Sequence, residues 1–115
     1  MKKGLALNWS LVAAWMTIIF YLSSQPSSLP FVLPDFIPHF IEYAILAFLL
    51  LRALKEHQIS KPAAIGLTIL IALIYAASDE IHQSFVPTRT ATLSDFLVDS
   101  LAAIAIGIYG KIKLQ

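Results

Sequence analysis

The sequence predicts an all-α protein, a bundle of four transmembrane helices that forms one domain over residues 1–115. Three observations lead to this fold class. Hydrophobic residues make up 58% of the chain and charged residues 13%, whereas a soluble domain carries about 25% charged residues. The apolar residues fall into four long runs. None of these runs alternates apolar with polar residues, as a half-buried strand would.

The four predicted helices cover residues 5–22, 36–54, 62–83 and 93–110. At about 1.5 Å per residue they reach roughly 27 to 33 Å, close to the thickness of the hydrocarbon layer. Unpaired strand edges cannot exist in lipid, which leaves helices as the expected structure. The first run follows two lysines, as in a signal peptide, but it exceeds the usual apolar region of about 7 to 15 residues and is expected to stay as a helix.

Capping and helix-breaking residues agree with these boundaries. Asp35 is expected to cap the second helix, and Pro62 suits the first turn of the third. Thr92 begins a stretch with the form of a capping box before the fourth helix. Pro87 keeps the third helix from continuing into the fourth.

Basic residues indicate the orientation in the membrane. With four spans, both termini and the middle connection lie on one side, and that side holds seven of the eight basic residues, while Arg89 is on the other. The positive-inside rule then predicts that both termini are cytoplasmic. The acidic and basic residues nearly cancel, so no nucleic-acid partner is expected.

Acidic residues show the opposite distribution. Glu56 is on the inner side, and the other six lie at or near the outward ends of the helices: Asp35, Glu42, Asp79, Glu80, Asp95 and Asp99. His39 and His82 join them. Six carboxylates cannot all pair with Arg89, so some must be neutral, bind an external cation or share protons with the histidines.

Helical spacing predicts which of these residues share a face. His39, Glu42 and Tyr43 lie on one face of the second helix. On the third helix Asp79, His82 and Gln83 share a face, and Glu80 points about 100° away.

The fourth helix carries a single stripe, because Asp95, Asp99, Ala103 and Gly107 recur every four residues. Its inner half is a small-xxx-small pattern, which allows close helix contact. Asp99 is therefore expected to face the bundle interior.

Two interpretations of the polar residues follow. Asp35 and the loop residues Ser23, Ser24 and Gln25 are expected to be interfacial caps and hydrogen-bonding groups. Ionisable residues within membrane spans are functional candidates by default, and here they converge at one end. No cofactor is predicted. The alternative is a divalent metal held by two facing pairs with i, i+3 spacing, namely His39, Glu42, Asp79 and His82.

Three stretches resemble the VanZ-like family of small bacterial membrane proteins. They are SDEIHQSFVPTR at residues 78–89, YLSSQP at residues 21–26 and PHFIEY at residues 38–43. The resemblance implies a multi-pass protein of the bacterial cytoplasmic membrane whose name-giving relatives are linked to low-level resistance to teicoplanin, a lipid-tailed glycopeptide. It carries no established reaction. The positions carried over include Ser24, Gln25, Glu42, Arg89 and Asp95.

Three functions are compatible with these residues. The first is a cell-envelope protein that binds membrane lipid or a lipid-tailed ligand at the outer leaflet, with substrate-binding candidates Ser24, Gln25, His39, Gln83 and Asp99. The second is a membrane enzyme acting on a lipid or a lipid-linked cell-wall precursor, with catalytic candidates Glu80, His82, Asp79, Arg89, Glu42 and Asp95. The third is a small transporter.

In the enzyme hypothesis, Glu80 or Asp79 acts as general base and His82 as proton shuttle. Arg89 holds a phosphate or carboxylate. A transporter fits less well, because the predicted polar groups stop about halfway along the helices.

Reporter fusions test the orientation. A fusion after Gln115 should show cytoplasmic reporter activity, because Gln115 is on the side with seven of the eight basic residues. A fusion after residue 88 should show periplasmic activity. Periplasmic activity at Gln115 would reverse the topology.

Overall fold

The computed structural model describes residues 3–25, 36–87 and 93–113, and its described residues form four helices. These are α1 (Lys3–Ser23), α2 (Phe36–Lys55), α3 (Lys61–Gln83) and α4 (Leu93–Lys113). The predicted all-α fold is confirmed, and the helix ends differ from the predicted ones by three residues at most. Helix α4 extends to Lys113 because the positive charges of Lys111 and Lys113 in its last turn interact favourably with the negative end of the helix dipole.

All four helices are long and apolar enough to cross a bilayer. Their outer faces also expose large apolar side chains, among them Ile74 at 62% and Leu101 at 60% of their full area. A soluble protein rarely leaves so much contiguous apolar surface in water. The exposed faces therefore fit contact with lipid.

The ends of α3 agree with the sequence signals. The Ser60 side chain caps the helix by accepting a hydrogen bond of 3.2 Å from the Ala63 amide, and Pro62 lies in the first turn. The helix ends at Gln83, and a turn follows through Ser84 and Pro87. The caps predicted at Asp35 and Thr92 lie outside the described residues.

Neighbouring helices run in alternating directions, so the bundle has two chemically different ends. At one end, here called the polar end, α1 and α3 end at Ser23 and Gln83 while α2 and α4 begin. At the other, here called the basic end, α2 ends at Lys55, α3 begins at Lys61 and α4 ends at Lys113. The start of α1 and the end of α4 thus share the basic end. That this end is cytoplasmic stays a prediction.

Helix α2 occupies the centre, since it packs against each of the other three helices and is the most buried of the four. Its fully buried residues include Tyr43, Leu46, Ala47 and Leu50. The position of α2 allows one helix to bring side chains to both α3 and α4.

Small residues line the facing sides of α3 and α4. The buried residues of α3 recur every four positions at Ala64, Thr68, Ala72 and Ala76, and those of α4 include Asp99, Ala102, Ala103, Gly107 and Gly110. A Cβ atom added at Gly107 would lie 2.9 Å from Ile69 Cδ1 and 3.3 Å from Ile65 Cγ2. The absence of a side chain at Gly107 therefore allows α4 to approach α3 this closely.

Helix α1 is the least buried helix, and hydrogen bonds of aromatic side chains join it to the rest of the bundle in addition to the packing of Val12 and Ile19. Trp9 Nε1 donates to His57 Nε2 over 3.0 Å, and Trp15 Nε1 donates to the Glu42 carbonyl over 2.8 Å. The Tyr75 hydroxyl donates to the Met16 carbonyl. These bonds fasten α1 to both neighbours along its length.

Substitutions at two small residues of α4 test the close helix contact. Gly107→Leu and Ala103→Leu should each destabilise the bundle by about 1–3 kcal/mol, because a larger side chain forces α3 and α4 apart. Gly66→Leu is the matched control, since a Cβ atom at Gly66 meets nothing within 4 Å. Thermal unfolding in detergent measures all three. Equal melting temperatures for Gly107→Leu and the control would show that close contact at Gly107 is unimportant.

Candidate functional site

Polar side chains from all four helices meet at the polar end. His39, Tyr43, Asp79 and Asp99 lie between three and seven residues inside their helix ends, a depth of roughly 5 to 10 Å at 1.5 Å per residue. They are arranged in three groups that each join different helices.

The first group joins α2 to α4. His39 Nδ1 lies 3.5 Å from Asp99 Oδ1, and His39 Nε2 lies 3.9 Å from Asp95 Oδ2. Asp99 is 1% exposed, so the prediction that it faces the interior is confirmed. Each ring nitrogen faces a carboxylate at ion-pair distance, and only a doubly protonated imidazole has a donor for both. Both distances exceed the usual hydrogen-bond length of about 3.2 Å, so the ring makes no close hydrogen bond with either carboxylate.

The second group joins α2 to α3. The Tyr43 hydroxyl donates a hydrogen bond of 3.0 Å to Asp79 Oδ2, and both residues are buried. Tyr43 lies four residues after His39, so both are on the same face of α2. From this face Tyr43 contacts α3 and His39 contacts α4. Asp79 follows Ala72 and Ala76 on the small-residue stripe of α3. The stripe that allows close packing thus ends in a carboxylate.

The third group joins α1 to α3 at the rim. His82 Nδ1 lies 2.9 Å from Ser23 Oγ, and His82 Nε2 lies 3.3 Å from Ser24 Oγ. The Ser24 hydroxyl donates to the Phe20 carbonyl over 2.7 Å. The Phe20 ring stacks on the His82 ring with centroids 4.2 Å apart. In the neutral tautomer whose Nε2–H donates to Ser24, Nδ1 can accept from Ser23, whose hydroxyl also lies 3.1 Å from the Phe20 carbonyl as an alternative acceptor.

The remaining predicted residues surround these groups. Glu42 and Glu80 are partly buried, and one carboxylate oxygen of Glu80 is shielded from solvent. Gln83 is buried, whereas Gln25 is exposed and donates to the Tyr21 carbonyl over 3.4 Å. Arg89 lies outside the described residues.

The residues predicted as a metal site take different directions. His39 turns to the carboxylates of α4, Asp79 accepts from Tyr43, and His82 contacts the serines of α1. Across the described part of the chain, no three His, Asp or Glu side chains are grouped so that they could hold a metal ion.

The half of the bundle towards the basic end buries polar side chains of another kind. Asn8 and Thr68 are buried there. Neither side chain titrates, so these two residues offer no proton relay that would extend the polar end across the membrane.

Sequence reasoning did not identify several residues that complete the site. Tyr43 was placed on the correct face of α2, but its role as partner of Asp79 depends on the neighbouring helix. Ser23 was interpreted as an interfacial residue, and Phe20 and Trp15 as part of an apolar run. A usable signal exists only for Tyr43, through its spacing of four from His39.

Comparisons with known proteins identify the family of the chain. The family model described as VanZ/LLP1 matches residues 35–112, which covers α2, α3, nearly all of α4 and most of the polar groups described above. Neither the curated proteins nor the solved structures contain a match. Because the family model spans well over half of the chain, the protein belongs to the VanZ/LLP1 family.

Proposed function

We propose that this protein binds a lipid-tailed molecule at the outer leaflet of the bacterial cytoplasmic membrane and lowers susceptibility to teicoplanin-type glycopeptides. The observation that carries the proposal is His39 held between Asp95 and Asp99 within the membrane-spanning part of the bundle. Such groups are costly within a bilayer, and a buried ion pair is weak evidence for a stabilising role. A binding role explains why the bundle keeps them.

The surroundings of the polar end fit a ligand with a polar head and an apolar tail. Serine, histidine and glutamine side chains supply donors and acceptors at the rim. Next to them, Phe85 is 80% exposed and Ile81 is 64% exposed. A polar head can therefore meet the serine, histidine and glutamine groups of the rim while an acyl tail lies against apolar side chains. Arg89, six residues beyond Gln83, is expected to hold a phosphate or carboxylate of the head.

Drug susceptibility in a host that expresses the protein tests the proposal. His82→Ala and Glu80→Gln should return teicoplanin susceptibility to that of cells without the protein, while its abundance in the membrane is unchanged. Arg89→Lys should lose most of the protection, because lysine cannot make the bidentate contact of arginine. Susceptibility to a glycopeptide without an acyl tail should be the same for every variant.

Glu56→Gln is the matched control, because Glu56 is exposed at the basic end. It should keep full protection. If the substitutions at the polar end lower abundance and leave protection per molecule intact, the polar residues only support the fold and the proposal is wrong.

A second candidate function is a membrane enzyme acting on a lipid or lipid-linked cell-wall precursor. It is favoured by the 2.9 Å contact between Ser23 Oγ and His82 Nδ1, which has the geometry of a nucleophile and its general base. In this reaction Ser23 Oγ attacks an ester carbonyl as its proton moves to His82, and the alcohol leaves with that proton. Water then releases the acid from Ser23.

Serine variants distinguish the two candidates. Purified protein in lipid discs is incubated with membrane lipids and lipid-linked precursor, and products are followed by mass spectrometry. An enzyme of this mechanism should lose all turnover in Ser23→Ala and keep most of it in Ser24→Ala, because Ser23 Oγ lies 2.9 Å from a His82 ring nitrogen and Ser24 Oγ lies 3.3 Å from the other. Absence of product from the unmodified protein, or unchanged turnover in Ser23→Ala, would rule out this mechanism.

A further inference from the structure

An open groove lies between α3 and α4 at the basic end, remote from the polar groups described above. It has a volume of about 460 Å³ and is lined by Lys61, Pro62, Ile65, Gly66 and Lys111. The middle of this lining is apolar, and a lysine stands at each side. None of these residues belongs to the polar end, so the groove is independent of the proposed function.

The shape of the groove follows from two glycines. At Gly107 the helices are in close contact, because Ile65 and Ile69 fill the space that a side chain would take. Gly66 lies between these two residues in sequence but is exposed, and a Cβ atom there would meet nothing within 4 Å. The groove is therefore an open apolar channel whose floor lacks a side chain.

The charges at the groove have no acidic partner among the described residues. Lys61 is the first residue of α3 and Lys111 lies in the last turn of α4, so the antiparallel helices bring them to the same end. In the described ranges 3–25, 36–87 and 93–113, neither lysine forms an ion pair with a carboxylate. The carboxylate of Glu56, at the same end, lies beside Gly4 of α1.

The position of Lys61 at the start of a helix favours binding of an anion. A lysine in the last turn of a helix, such as Lys111, is favoured by the helix dipole, but a lysine in the first turn is disfavoured. An anion placed between the two side chains would attract both ammonium groups and the amino-terminal end of α3.

We propose that this groove binds one anionic phospholipid. Its phosphate lies between Lys61 and Lys111, and one acyl chain runs along Ile65 and Gly66 towards the middle of the bilayer. The groove opens at the level where helices leave the hydrocarbon layer, which is where a headgroup phosphate is found. In the predicted orientation the lipid belongs to the cytoplasmic leaflet, whose anionic lipids attract basic segments.

Native mass spectrometry of the full chain in detergent, titrated with dioleoyl phosphatidylglycerol, tests this site. One phosphatidylglycerol molecule should remain bound at concentrations where phosphatidylcholine does not. Lys61→Gln and Lys111→Gln should each lower the affinity roughly fivefold, the typical contribution of one lysine near an anionic lipid surface. Lys113→Gln is the matched control, because Lys113 is in the same last turn as Lys111 and does not line the groove.

The apolar part of the site has its own variant. Gly66→Leu fills the floor of the groove and should abolish retention of the lipid. Thermal unfolding without lipid should be unchanged, since the site of substitution is open space. If Gly66→Leu also lowers the melting temperature, the site is tested by the two lysine variants, because both lysines lie on the surface.

Several results would overturn the proposal. One is equal binding of phosphatidylcholine, and another is a loss in Lys113→Gln as large as in Lys61→Gln, which would indicate general surface charge. A third is displacement of the lipid by soluble glycerol phosphate at the same concentration as phosphatidylglycerol. That result would mean that the lysines bind a phosphate without using the groove.

Discussion

The need to surround the ionisable side chains within the membrane span with protein is the constraint on which this bundle depends. A charged group that faces hydrocarbon costs about 2.5–3.5 kcal/mol on insertion scales and roughly 10–17 kcal/mol in simulations of an arginine on an isolated helix. Here Asp79 and Asp99 occupy the same helix faces as alanines and glycines, so the surfaces that pack most closely also carry the carboxylates. Close packing of α2, α3 and α4 therefore creates the interior in which polar chemistry is tolerated. A bundle held apart by larger residues would expose these groups to lipid.

The central position of α2 determines how the polar end is connected. From one helix, His39 reaches α4 and Tyr43 reaches α3, four residues apart. Helix α1 contributes only at the rim, where its serines meet His82. The result is a site with a rigid floor built by three helices and a rim that depends on the fourth. The basic end has no comparable network among the described residues, and its lysines stand beside an open groove.

The fold could be predicted closely because each helix carries its own signal. Apolar length located the spans, Pro62 marked the start of α3, and the four-residue recurrence of Asp99, Ala103 and Gly107 predicted a buried face. Pairing between helices was beyond the same reasoning. Periodicity indicates which residues share a face, but it does not indicate which helix lies opposite or how far that helix is rotated. Hence His39 was grouped with Asp79 as a metal-ligand candidate, although it contacts Asp95 and Asp99. The contact of Ser23 with His82 depends on the same missing information.

The seam between α1 and α3 has a consequence for how a ligand would arrive. Few backbone segments of these helices come close together, and the seam is bridged by the Phe20–His82 stack, the serine contacts and the Tyr75 hydrogen bond. Side chains, and not close backbone packing, thus separate this seam from the lipid. A lipid-tailed ligand would find His82 by two-dimensional diffusion in the leaflet. The occupied fraction of the site would then depend on the mole fraction of the ligand among the lipids. Adding other lipids would lower binding even if the amount of ligand in the surrounding water stayed constant.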